Sequence, residues 1–407
     1  MPWFDWISLF ARWFHVIAGV AWIGASFYFI WLDNNLRTPP DWKKEKGIKG
    51  DLWAVHGGGF YEVAKYAYGP AQIPEKLHWF KWEAYTTWLS GFFLLGLVYY
   101  HGASIYLIDA SVMQLSVAEA IARGLGLIFG GLFIYEAACR SPLGRSPVYF
   151  AVFLLALITL ASYLACHWFS GRGAFMHVGA LIGTIMAGNV FFKIMPAQRL
   201  MVNAVANKGE IDPAWGEAAK LRSVHNNYFT LPLLFIMISN HYPMTYQHEL
   251  NWLILVAIGI VSAWIRHYFN LKHIGISRPS VLITGAIGMV LIALWVSMPR
   301  SEPVGEFGDN AARVNQVSAP VLTEEQQEVF DIIQTHCANC HGANPTDDIF
   351  VVAPLGLMLD NWQQVEARAP LIYQRAAVSK DMPLMNKTAM TEDERQVIAR
   401  WFTHLQP

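Results

Sequence analysis

Long apolar runs separated by polar stretches fill the first three quarters of the chain. The first covers roughly residues 7–32 and contains one Arg and one His. Further runs lie at roughly 82–100, 117–138, 148–169, 173–193, 225–242, 250–270 and 280–298. A helix needs about 20 apolar residues to cross the hydrocarbon core, so the pattern predicts eight membrane helices. The second and sixth are the weakest of the eight, since each carries polar residues. No small-residue cleavage site follows the first run, which predicts a retained helix rather than a removed signal.

The pattern changes after residue 298. Residues 299–322 hold Pro299, Pro303, Gly305, Gly308 and Pro320 among scattered charges, a composition that predicts a flexible tether. Beyond it, Thr323-Glu324-Glu325-Gln326 and Thr391-Glu392-Asp393-Glu394 are capping boxes, each opening a helix. The second helix puts Val397, Ile398, Trp401 and Phe402 on one face. The expected architecture is all-α: a membrane bundle over 1–298, a linker over 299–322 and a small helical domain over 323–407.

Charge orients the bundle. The chain has 407 residues, 54% hydrophobic and 14% charged, with 29 basic against 30 acidic residues. That balance gives no reason to expect nucleic acid. If the eight helices alternate, the loops on one side carry 18 Lys or Arg and those on the other only Arg172. The positive-inside rule puts the first set in the cytoplasm and both termini in the periplasm. The long cytoplasmic loop 33–80 mixes four lysines with His56-Gly57-Gly58-Gly59-Phe60-Tyr61 and Pro74-Glu75-Lys76-Leu77-His78-Trp79, which together suggest a folded cap over a site. Residues 194–224 form the second long connection, amphipathic from Trp215 to Leu221.

Candidate chemistry begins with Cys337-Ala338-Asn339-Cys340-His341. C-x-x-C-H is the attachment signature of c-type haem, in which two thiols form thioethers and the adjacent His ligates iron. A redox dithiol would not explain His341. Zinc would need a second ligand pair, and the only other cysteines, Cys139 and Cys166, lie in apolar runs. Met382, followed by Pro383, is expected as the second axial ligand, with Met385 and Met390 as rivals. Covalent haem attachment belongs to the periplasmic side, the side charge assigns to this domain.

Histidines in the bundle sort by depth. His15, His101, His167 and His177 fall toward the haem domain; His56, His78, His225, His267 and His273 fall at or near the cytoplasmic face. Ionisable residues inside membrane helices are expensive and tend to be functional. Electrons released at the cytoplasmic face would have about 30 Å of hydrocarbon to cross, too far for one tunnelling step. Either the substrate site lies near the outer face or an intermediate centre exists; His15, His167 and His177 could ligate an internal b-type haem. In the inner layer, His225-Asn226-Asn227-Tyr228 opens one helix and Arg266-His267-Tyr268-Phe269-Asn270 ends the next. Arg266 and Asn270 are one turn apart and share a face. Such a set offers a cation and amides for a planar anion, aromatic faces for stacking, and His as general base.

Trp13-Phe14-His15-x6-Trp22-Ile23-Gly24, the His56 glycine loop, the His225 and Arg266 motifs and the C-x-x-C-H tail together resemble the membrane-bound, cytochrome c-linked urate oxidases (urate hydroxylases) of bacterial purine catabolism. The resemblance implies a multi-pass protein of the bacterial inner membrane that oxidises urate to 5-hydroxyisourate. Electrons would pass through haem c to a soluble cytochrome or terminal oxidase, not directly to oxygen. Arg266, Asn226 and Asn227 would then bind urate, with His225 or His267 removing a proton. The first helix also resembles, more weakly, the small bacterial protoporphyrinogen oxidases, in which a His near its start is implicated in haem binding; this favours His15 as a ligand. Aromatic residues on lipid-facing helices permit a homodimer. Two rival readings are a membrane-anchored cytochrome subunit with no substrate site and a haem or metal transporter.

Overall fold

The computed structural model describes residues 3–109, 112–298, 322–343, 345–347, 353 and 357–405. The expected tether, apart from Leu322, lies outside the described residues. The chain is mostly helical. Helices stand at all eight apolar runs: α1 (Trp3–Asn35), α2 (Trp82–Leu94), α3 (Val117–Arg140), α4 (Pro147–Trp168), α5 (Gly171–Asn189), α6 (Pro213–Ser239), α7 (Asn251–His273) and α8 (Pro279–Ser297). Six are long and apolar enough to cross a membrane; α2 and α6 are not among them. Helix α2 passes into a wider π-turn at Leu95–Tyr100, and the first half of α6 is polar.

Helix α5 is the axis of the bundle, packed on α2, α3, α4 and α6. Small residues let its neighbours approach closely. A Cβ on Gly179 would lie 2.6 Å from Ile236 of α6. Because α5 runs the length of the bundle, it ties the chemistry at one end to that at the other.

Two segments read as connections are more ordered than the sequence suggests. Residues 194–224 are helical except for a short break, since α5 continues through a π-turn into Met195–Ala206 and α6 begins at Pro213. The amphipathic stretch from Trp215 is thus the first part of α6. Loop 33–80 contains an antiparallel hairpin, β1 (Ile48–His56) and β2 (Gly59–Tyr66), so all-α is corrected to mostly helical with one hairpin. Gly57 and Gly58 both take positive φ, which a two-residue hairpin turn requires. The glycines make the hairpin turn. At the hairpin base, Lys43 is buried between the carboxylates of Asp51 and Glu62.

The C-terminal unit is built on α9 (Glu324–His336), α10 (Trp362–Ala367) and α11 (Glu392–His404). Both expected capping boxes form, at Thr323/Gln326 and Thr391/Glu394. Val329, Ile333, Trp362, Val365, Ile398 and Trp401 make its core. Glu394 is held at about 2 by the Thr391 backbone N–H and hydroxyl, with His336 adding to the effect; its unfolded value is about 4.3. This stabilisation is therefore present above about pH 4.3 and is lost as pH falls through about 2. Thr391→Ala should destabilise α11 by about 1 kcal/mol and move the acid loss to higher pH. Hydrogen exchange over residues 392–404 checks both, and unchanged exchange in the variant would remove the capping role.

Candidate functional site

At the hairpin end of the bundle, two buried polar networks meet on α6. In the first, Arg266 of α7 donates from Nε to Asn227 Oδ1 at 2.5 Å, and Asn227 Nδ2 donates to Asn270 Oδ1 at 2.7 Å. The one-turn spacing of Arg266 and Asn270 thus converges on a single amide. Phe27 of α1 covers the guanidinium, with its ring centroid 4.2 Å from Cζ. Arg266 is 5% exposed, and among the described residues no carboxylate is paired with it.

The second network surrounds Asn226. Asn189, near the end of α5, donates from Nδ2 to Asn226 Oδ1 at 2.8 Å, and Asn226 Nδ2 donates to the Met186 carbonyl at 3.0 Å. Arg222 donates to Asn189 Oδ1 at 2.7 Å and pairs with Glu136 at 2.8 Å. The Tyr135 hydroxyl lies 2.8 Å from His225 Nδ1, and Phe150 stacks on that ring at 4.8 Å. His267 is fixed similarly, its Nδ1 2.7 Å from the Tyr228 hydroxyl. Asn227, Arg266 and His267 therefore meet at the α6/α7 contact, whereas Asn226 faces Asn189 of α5 and His225 faces Tyr135 of α3 and Phe150 of α4. His56 does not join them; it sits exposed at the hairpin turn, paired with Gly59.

Sequence reasoning missed Asn189, Tyr135, Glu136, Arg222 and Phe27. Glu136 and Asn189 had a usable signal as polar residues within apolar runs. Arg222 did too: it lies four residues before Asn226 on one helix face, but was read only as a charge marking the cytoplasmic side.

The other end of the bundle carries a cavity of about 830 Å³ between the bundle and the C-terminal unit. Cys337, His341 and Met382 line it from one side, and Arg12, His167 and Arg172 from the other. His341 Nδ1–H donates to the Leu357 carbonyl at 3.1 Å, leaving Nε2 free to ligate, the usual arrangement of a metal-bound imidazole. Burial lowers its pKa and favours the neutral ring. Met390 is packed in the core of the unit, and the Met385 side chain lies outside the described residues. None of the four cysteines is in a disulfide. Cys337 and Cys340 would hold a haem through thioethers, and His341 and Met382 would supply ligands to its iron. No cluster of three or more His, Cys, Asp or Glu among the described residues could hold a bare metal ion.

His15, His167 and His177 do not converge. His15 bonds Ser90 of α2 at 2.9 Å, and His167 bonds its own helix at Tyr163. His177 bonds the Gly173 carbonyl through Nδ1 and Tyr100 through Nε2. A Cβ on Gly124 would lie 2.6 Å from that Nε2, which leaves no room for a porphyrin plane. This geometry does not fit an internal b-type haem on these residues: depth along a helix is legible from sequence, but the direction each ring faces is not. The His273 side chain lies outside the described residues.

No curated protein and no solved structure matches the chain. The family described as Urate oxidase N-terminal matches residues 2–297, which takes in all eight bundle helices and ends before the C-terminal unit. The match covers well over half of the sequence, and the chain belongs to the Urate oxidase N-terminal family.

Proposed function

We propose that this chain is a membrane-bound urate oxidase that oxidises urate to 5-hydroxyisourate and sends the electrons through a c-type haem to the respiratory chain. The bundle lies in the bacterial inner membrane with all eight helices crossing, the hairpin end cytoplasmic and the C-terminal unit periplasmic. One observation carries the reading: Arg266 is a buried guanidinium with no carboxylate partner among the described residues. A buried unpaired charge costs several kcal/mol, and a planar organic anion stacked near Phe27 would neutralise it. The family membership gives that anion its identity.

Urate monoanion and water yield 5-hydroxyisourate, one proton and two electrons. Arg266 binds and orients the anion with Asn227 beside it, while Asn226 braces α6 against α5. His225 or His267, each held at Nδ1 by a tyrosine hydroxyl, takes the proton at Nε2. The haem held by Cys337, Cys340, His341 and Met382 supplies a one-electron acceptor. Asn189 and Arg172 stand 17 residues apart on α5, about 26 Å along the helix. The electrons must therefore move in steps, and Trp88 and Tyr100, hydrogen-bonded to Thr184 and His177 of α5, lie at intermediate depths. A bare electron-carrying subunit would leave Arg266 without an occupant.

The purified protein in air should consume about two equivalents of ferricyanide per urate and release no peroxide. One peroxide per urate with no need for an acceptor would replace this reading with direct oxidation by oxygen.

A further inference from the structure

Arg12 and Arg172 are both placed against ordinary preference. Arg12 is the one Lys or Arg in the apolar run 7–32, where a charge is expensive. Arg172 lies in the first turn of α5, which has no acidic residue there. A cation is disfavoured at that position because the helix dipole already presents positive charge. It is also the single basic residue in the loops on its side of the bundle.

Both arginines line the same 830 Å³ cavity, opposite Cys337, His341 and Met382. Among the described residues Arg12 bonds only a neighbouring hydroxyl, Ser8 at 3.1 Å. Arg172 donates to Asn240 Oδ1 at 3.0 Å and lies over the rings of Tyr99 and Tyr106. Among the described residues neither is ion-paired. The other arginines of the cavity are different: Arg368 pairs with Asp109 and Arg375 with Asp381. Arg368–Asp109, at 2.8 Å, joins the C-terminal unit to the loop after α2, and beside it Ala369–Ile372 packs against Ala103–Tyr106.

We propose that Arg12 and Arg172 are the bundle's half of the haem site: they bind the haem propionates and seat the C-terminal unit on the bundle. The inference rests on the haem assignment above. Two guanidiniums and the start of α5 face the cavity that would hold the porphyrin; of the carboxylates on that wall, Asp109 is taken by Arg368 and Glu249 is paired with neither Arg12 nor Arg172, so two propionates would be their counter-charge. Asp109–Arg368 fastens the unit in register, so the haem edge meets the bundle where an electron leaving it must cross. Arg12 and Arg172 are positioning residues, and their effect is read in the haem's electrochemistry.

A guanidinium on a propionate masks negative charge that would otherwise favour ferric iron. In the full-length, haem-loaded protein in detergent, Arg12→Gln and Arg172→Gln should each lower the haem midpoint potential, and the double variant should lower it further. Arg12→Lys and Arg172→Lys should recover part of the shift. Arg12 is exposed, so its variant reads the effect even if loss of Arg172 disturbs folding. A wild-type potential in fully haem-loaded Arg12→Gln would overturn the proposal. So would a potential that responds to the arginines only when phosphate or urate is added, because the wall would then hold a free anion. Absence of any c-type haem in the wild-type protein would instead remove the haem assignment itself.

Discussion

Replacing Arg266 by Gln is expected to abolish urate oxidation while leaving the c-type haem spectrum intact. The guanidinium is 5% exposed, donates to Asn227 and has no carboxylate partner among the described residues, so on the proposed reading the substrate anion would be its counter-charge. Truncating one partner of a buried, hydrogen-bonded charge pair costs about 2–5 kcal/mol, or about 30- to several-thousand-fold in kcat/KM. Lys at this position should recover little, since a point charge cannot keep both the Asn227 bond and the flat face against Phe27. Steady-state rates with ferricyanide, beside the haem spectrum, separate this outcome from misfolding. Activity within threefold of wild type would place the anion elsewhere.

Cys337→Ala combined with Cys340→Ala should remove covalent haem and stop turnover with respiratory acceptors, yet leave the bundle in the membrane. The reason is the distance along α5. Asn189 belongs to the buried network and Arg172 to the cavity, about 26 Å apart, so on the proposed reading electrons would leave through the haem in the cavity and no group of the inner network would stand in for it. His341→Ala should keep the thioethers and shift the absorption bands, because its Nε2 is the free imidazole nitrogen facing the cavity. A haem stain after denaturing electrophoresis reads the first effect and optical spectra read the second. Covalent haem surviving the double cysteine change would refute the attachment site.

Much of this arrangement was legible in the sequence where physics acts locally. Thr323 and Thr391 announced their helices because a capping box is complete within four residues. Arg266 and Asn270 shared a face because one helical turn fixes their relation. Convergence was not legible. Asn189, Tyr135 and Arg222 meet from three helices, and no periodicity within any one of them encodes the meeting. The hairpin was hidden behind Gly57 and Gly58, which together with the nearby His and aromatic residues suggested a folded cap and are turn residues with positive φ. His15 and His177 could be ranked by depth, but one faces Ser90 and the other Tyr100. Rotation about the helix axis depends on packing, which a single sequence does not display.

The most direct test is an anaerobic reduced-minus-oxidised spectrum of the purified, detergent-solubilised chain before and after adding urate. The account predicts that urate alone reduces the c-type band, with two haem equivalents reduced per urate consumed. A band that dithionite reduces and urate does not would contradict it, because substrate site and electron exit would then not be joined in one chain.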